Sequence, residues 1–230
     1  MTALKPSRSG LIGGAGFLVA GLAWILLGRQ PGWFLAWFLA VAVVGLFLPG
    51  IANQVTLSRA HLALPGFVYA LTASSLGGLA LVVALAGLSD LVDGTVARRT
   101  GNISRAGAAL DPIVDGVFYG AVAIGLAVGG AYPLWLGVVV LVRYFVPVIA
   151  GGVLVAMGRL PRFRHTFFGQ LSTTVIATLL GGIALFRGFG VDVRNIVLGA
   201  AILFPLLTLL AWVELARTAR ELSRPGPEPE

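Results

Sequence analysis

The sequence predicts an all-α integral membrane protein of about eight transmembrane helices, in which an N-terminal two-helix hairpin precedes a six-helix core. Three observations point there. First, 58% of the 230 residues are hydrophobic and only 11% charged, whereas soluble domains carry about 25% charged residues; the mean hydropathy is +0.97. Second, the apolar residues fall in runs near the roughly 20 residues that a spanning helix needs. Third, the basic residues are divided unevenly between the two sides that those runs define.

The first two runs, 11–28 and 33–50, are separated by the turn signal Arg29-Gln30-Pro31-Gly32. No convincing leader cleavage site is present and a second run follows at once, so residues 1–50 read as a retained hairpin. Six further spans follow at about 54–73, 75–94, 107–129, 132–156, 167–187 and 195–214, and together make a core over 51–214. The polar tail, 215–230, ends in Pro225-Gly226-Pro227-Glu228-Pro229-Glu230 and reads as disordered.

With the N-terminus in the cytoplasm and eight crossings, twelve basic residues face the cytoplasm, among them Arg59, Arg98, Arg159 and Arg217. Three, Arg29, Arg187 and Arg194, face the other side, and Arg143 lies inside a span. That is the bias of the positive-inside rule, and it places both termini and the basic loops of a multi-pass cell-membrane protein on the cytoplasmic side. The same bias accounts for the net charge of +7 without a nucleic-acid partner. The absence of cysteine excludes disulfides, thiolate catalysis and cysteine-based zinc sites. Two histidines, His61 and His165, are too few for a histidine metal cluster.

Only 31 positions separate Arg59 from Asp90, yet the chain must cross and return within them. Two crossings need about 40 residues. The helices therefore begin before Arg59 and run past Asp90, which places Asn53, Thr56, Arg59, Asp90 and Asp93 at helix ends on one membrane level.

Four of the nine acidic residues, Asp90, Asp93, Asp111 and Asp115, fall within 26 positions. Carboxylates in membrane helices are costly and mark function by default. Asp90 and Asp93 are three apart, Asp111 and Asp115 four apart, so each pair shares a helix face. On consecutive antiparallel helices the pairs can face one another. Four carboxylates that close cannot all stay ionised without cations, and hard divalent ions such as Mg²⁺ or Mn²⁺ suit oxygen ligands. Two ions among four carboxylates is an arrangement used for displacement at phosphorus. Gly94 and Gly107 leave room for close approach, and Arg98 supplies a cationic phosphate donor.

At these residues the sequence resembles the CDP-alcohol phosphotransferase family, whose pattern is D-x2-D-G-x2-A-R-x7–8-G-x3-D-x3-D. Asp90, Asp93, Gly94, Ala97, Arg98, Gly107, Asp111 and Asp115 meet every fixed position, and Asn53-x-x-Thr56-x-x-Arg59 is similar to the family's entry to its first core helix. The resemblance covers about 51–214. It implies two Mg²⁺ or Mn²⁺ ions held by Asp90, Asp93 and Asp111 with Asp115 close by, and Asp115 as general base on an acceptor hydroxyl. It implies a CDP site lined by Thr56, Gly94, Ala97, Arg98 and Gly107. The expected activity is transfer of a phosphatidyl-type group from a CDP-linked lipid (CDP-diacylglycerol-like) to an alcohol, with CMP released, in phospholipid biosynthesis. The implied partners are that CDP-lipid donor, a small or lipid alcohol acceptor, membrane lipids and a second copy in a homodimer.

The acceptor is less legible. Arg143, in mid-span, resembles an arginine in the fourth core helix of phosphatidylglycerophosphate synthases. It is read either as a contact to an anionic acceptor or pyrophosphate, or as a structural partner of an aspartate or backbone carbonyl. Arg159, Arg162 and Arg164 are either phosphate ligands or a plain basic loop. Gly169-Gln170-Leu171-Ser172-Thr173 looks like the G-K-x-K-T stretch of those synthases, with Gln170 and Ser172 in place of both lysines. The rival to the transferase reading is a cation transporter or channel that uses the aspartates as its ion site; such a path gains nothing from Arg98.

Overall fold

The structure, a computed structural model, describes residues 6–72, 76–100, 105–156 and 166–222; for 76, 90, 91, 93–100, 105–109, 154–156 and 219–222 it describes the backbone alone. Among the described residues the chain is helical throughout: α1 (Arg8–Leu27), a 3₁₀ turn (Gly32–Phe34), α2 (Leu35–Phe47), α3 (Ile51–Ala70), α4 (Leu76–Thr100), α5 (Arg105–Val128), α6 (Leu134–Ala156), α7 (Phe167–Gly188) and α8 (Arg194–Leu222). Five of these, α1, α5, α6, α7 and α8, contain described segments long and apolar enough to cross a membrane, and Gly32–Phe47 and Gly77–Ser89 are shorter apolar stretches. Multiple apolar helices of this kind make the chain a multi-pass membrane protein.

Local chemistry sets the turns. α1 opens on Ser7, whose hydroxyl accepts from the Gly10 amide, and it ends before Arg29, whose φ is +49°. Pro49-Gly50 separates α2 from α3, and Gly50 adopts φ +94°, a region that a side chain disfavours. Asp192 accepts from the Arg194 amide to start α8. The helices alternate in direction. At one end Gly129 lies against the Leu71 carbonyl, and Arg187 donates to the Gly129 carbonyl. At the other end the Ser9 hydroxyl accepts from the Gly50 amide, and Glu214 meets the start of α7.

α3 is the hub, packing on α4 along one side and α5 along another, while α5 packs on α6 and α7 on α8. Its remaining surface carries the hairpin, held by polar ties. Gln54 donates to the carbonyls of Gly45 (2.8 Å) and Leu48 (2.7 Å). Trp37 donates to the Ala60 carbonyl (3.1 Å), and Trp24 to the Tyr69 hydroxyl (2.7 Å). His61 packs between Phe17 and Phe38. The main core, around Phe118, Val122, Leu136, Ile176 and Phe204, is buried where α4 to α8 converge with α3.

Small residues allow the close approach of α3 and α5. A Cβ on Gly125 would stand 2.7 Å from the Phe67 carbonyl and 2.8 Å from Ala70 Cβ. Gly125→Leu is therefore expected to cost about 2 kcal/mol, lowering the unfolding midpoint in detergent by roughly 4–8 °C. Gly77→Leu, where an added Cβ meets nothing within 4 Å, is the control and should leave the midpoint unchanged.

Two boundaries differ from the sequence expectation by more than three residues. α4 continues to Thr100 rather than ending near 94, and α8 to Leu222 rather than 214. The apolar window marks where lipid contact ends, not where the backbone stops being helical: Glu, Leu, Ala and Arg after 213 are good helix formers. The first eight residues of the expected disordered tail are therefore helix, and 223–230 lie outside the described residues.

Candidate active site

The site is built on α3 and α5. Asn53, Thr56 and Arg59, three residues apart, form one stripe of α3, and all are buried. Arg59 lies eight residues into α3, about 12 Å from its start. Asp111 and Asp115 lie six and ten residues into α5. Asn53 thus lies in the first turn of α3, and Arg59, Asp111 and Asp115 about two to three turns inside their helices, with α3 beginning before Arg59 as the spacing argument requires.

Arg59 joins the two aspartates. Its Nη1 donates to Asp115 Oδ1 at 2.5 Å and its Nη2 to Asp111 Oδ1 at 3.3 Å. The guanidinium side chain is 3% exposed, Asp115 19% and Asp111 47%. A planar fork suits this double contact, because its two amino groups reach two carboxylates at once. One positive charge then faces two negative ones. The cluster keeps a net negative charge before the aspartates of α4 are counted, and Asp111 stays open to a further ligand.

Beside it stands Tyr144 of α6. Gly116, next to Asp115, allows this packing: a Cβ there would lie 2.8 Å from Tyr144 Cβ. Tyr144 is buried, stacks on Tyr119 with ring centroids 5.9 Å apart, and lies near Asp115 and Thr173. Gly116 also lines an open apolar groove of about 340 Å³, together with Trp37, Ala63, Phe67 and Leu141.

Arg143 makes the backbone-carbonyl contact that the structural alternative expected. It is paired with no aspartate among the described residues. Its Nε and Nη2 donate to the Ser172 hydroxyl at 3.0 and 2.7 Å, and Nη2 also donates to the Gly169 carbonyl at 3.1 Å. Its guanidinium carbon lies 5.3 Å from the Tyr144 ring centre. Ser172, fully buried, is one of the two residues standing where the resembled stretch carries lysine. A lysine at 172 would set a second cation against the arginine.

The structure thus brings Asp111, Asp115, Arg59 and Thr56 into one region, with Arg143 linked to Asp115 through Tyr144. The backbone places Asp90, Asp93, Gly94, Ala97 and Arg98 on α4 and Gly107 on α5; their side chains, and residues Arg159, Arg162, Arg164 and His165, lie outside the described residues. Among the described residues no three acidic or histidine side chains gather as a metal site. The oxygen chemistry of Asp111 and Asp115, with their charge excess over Arg59, nonetheless fits a hard divalent cation.

Residue comparisons bear on this geometry. The sequence model of the CDP-alcohol phosphatidyltransferase family matches residues 50–217, the six-helix core with the Arg59–Asp111–Asp115 cluster inside it. The chain belongs to the CDP-alcohol phosphatidyltransferase family. Within it, the chain is 36% identical over 124 residues to a protein of Streptomyces coelicolor named cardiolipin synthase (CMP-forming), covering 51% of this chain and 57% of the relative. It is 31% identical over 142 residues to a probable phosphatidylglycerophosphate synthase of Mycobacterium tuberculosis, covering 61% of this chain and 66% of the relative. An archaetidylinositol phosphate synthase of Methanothermobacter thermautotrophicus is 33% identical, covering 43% of this chain and 54% of the relative. The matched parts of these CDP-alcohol phosphatidyltransferases thus span less than two thirds of each relative's own length. The hairpin on α3 precedes the family-matched segment.

Proposed function

We propose that this chain transfers a phosphatidyl-type group from a CDP-linked lipid such as CDP-diacylglycerol to an alcohol, releasing CMP. The observation that carries this reading is the buried Arg59 fork holding Asp111 and Asp115 side by side, inside a core that matches the family. The names of the relatives, all synthases of phospholipids or their precursors, support it.

In this reading Asp90, Asp93, Asp111 and Asp115 hold two Mg²⁺ or Mn²⁺ ions, which when bound offset the charge of the pyrophosphate. Arg59 bridges the two α5 carboxylates and fixes their separation. Asp115, the more enclosed of the two, takes the proton of the acceptor hydroxyl as its oxygen attacks the phosphorus attached to the lipid alcohol. The bond from that phosphorus to CMP breaks, and CMP leaves. Thr56, Gly94, Ala97, Arg98 and Gly107 line the CDP site. Arg143, on the other side of Tyr144, contacts the acceptor, with Arg159, Arg162 and Arg164 as further phosphate donors. The proposal also includes a homodimer in the cell membrane; the unequal distribution of basic residues supports an active site facing the cytoplasm.

The acceptor is identified by offering CDP-dioleoylglycerol with glycerol-3-phosphate, inositol-1-phosphate, inositol, serine or phosphatidylglycerol, and weighing the lipid product by mass spectrometry. One acceptor should give a lipid with the mass of dioleoyl phosphatidic acid plus that acceptor less one water, alongside CMP. Binding of CDP-lipid without product from any acceptor would point to a different alcohol or CDP-linked donor, and absence of CDP-lipid binding would overturn the reading.

A further inference from the structure

We infer that Glu214, on the last helix, is a positioning residue for acceptor binding, acting through the first turn of α7 on Arg143. This rests on the transferase reading above. The carboxylate of Glu214 accepts from the first two amides of α7, Phe167 N at 3.1 Å and Phe168 N at 2.8 Å. The Thr166 hydroxyl accepts from the third, Gly169 N, at 3.2 Å. A side-chain anion at a helix N-terminus is favoured by the helix dipole. Here it comes from another helix, 46 and 47 residues further along the chain, so it fixes where α7 begins relative to α8.

What that turn holds gives the cap a consequence. The Gly169 carbonyl accepts from Arg143 Nη2 at 3.1 Å, from the Ser172 hydroxyl at 2.8 Å and from the Thr173 hydroxyl at 3.2 Å. Ser172 in turn accepts twice from Arg143. One of the two oxygens that aim the guanidinium, that of Gly169, therefore belongs to the turn that Glu214 and Thr166 hold, and the other, that of Ser172, to the turn that follows it and bonds back to Gly169. Gly169 has no room for a side chain, since a Cβ would stand 2.5 Å from the Thr166 hydroxyl. A shift in the start of α7 is a shift of Gly169 and Ser172, and hence of Arg143, while Arg59, Asp111 and Asp115 on α3 and α5 stay where they are.

The test is steady-state kinetics of the full-length protein with CDP-dioleoylglycerol, Mg²⁺ and whichever of glycerol-3-phosphate or phosphatidylglycerol the wild type accepts more readily. Glu214→Gln keeps the size of the side chain but loses its charge and one of its two amide contacts. It should raise the acceptor KM about tenfold and leave kcat and the donor KM within about twofold. Arg143→Met should raise the same KM, and adding Glu214→Gln to it should raise it no further, because one acts through the other. If Glu214→Gln does not fold, Thr166→Val loosens the same turn and carries the same expectation. An unchanged acceptor KM overturns the inference. So do equal losses in kcat and both KM values with a lowered unfolding midpoint, which would make Glu214 a structural cap alone. Absence of both CMP release and CDP-lipid binding in the wild type would instead defeat the transferase reading, and this inference with it.

Discussion

Asp115→Asn should release CMP at least about 10²–10⁴-fold more slowly than the wild type, which is the usual worth of a positioned base. The same variant should fold normally. Asparagine keeps an oxygen where Arg59 Nη1 now donates at 2.5 Å, and Asp111 remains as the charge partner of the guanidinium. Binding of CDP-dioleoylglycerol, measured by calorimetry in detergent, should therefore stay within a few-fold of wild type while turnover is lost. Wild-type-like CMP release from Asp115→Asn would remove Asp115 as the base.

Arg59 is expected to matter more for the fold than any other single charged residue described in the structure. Removing one partner of a buried ion pair costs about 3–5 kcal/mol, because the other is left uncompensated. Asp115 is 19% exposed and Asp111 47%, so the lower end of that range applies. Arg59→Met should then lose about 3 kcal/mol, a drop in the unfolding midpoint of roughly 6–12 °C for a chain of this size, together with its activity. Arg59→Lys should not restore activity. A single ammonium cannot donate to two carboxylates in the fork geometry seen here. Full activity of the lysine variant would show that charge alone suffices and that the double contact does not set the site.

Much of this site was legible in the sequence, and the rest was not for identifiable reasons. Asp111 and Asp115 share a face because four residues are about one helical turn, and that spacing survives any detail of packing. Their partner was not legible. Arg59 is 52 and 56 residues away, and which carboxylates it meets depends on how α3 and α5 are rotated against each other. The spacing argument that one helix begins before Arg59 and the next runs past Asp90 holds for α3 and α4, since a polar extension can continue a helix beyond its apolar run. Arg143 announced a need for a partner by lying in an apolar span. That the partner is Ser172 follows only from the fold, in which the Arg143 side chain reaches from α6 to α7. Glu214 gave no signal at all: one acidic residue near the polar end of a last helix looks like a solvated charge until the start of α7 is seen against it. The hairpin was legible as two spans and a turn. Its docking on α3 through Gln54, Trp24 and Trp37 was not.

The most direct test of the central claim is CMP release from CDP-dioleoylglycerol by the purified chain, with a mixture of candidate alcohols, in Mg²⁺ and again in EDTA. Transfer of a phosphatidyl-type group requires release that depends on both the alcohol and the cation. Cation flux through liposomes containing the protein, with no CMP released under any of these conditions, would contradict it and make the aspartates an ion site.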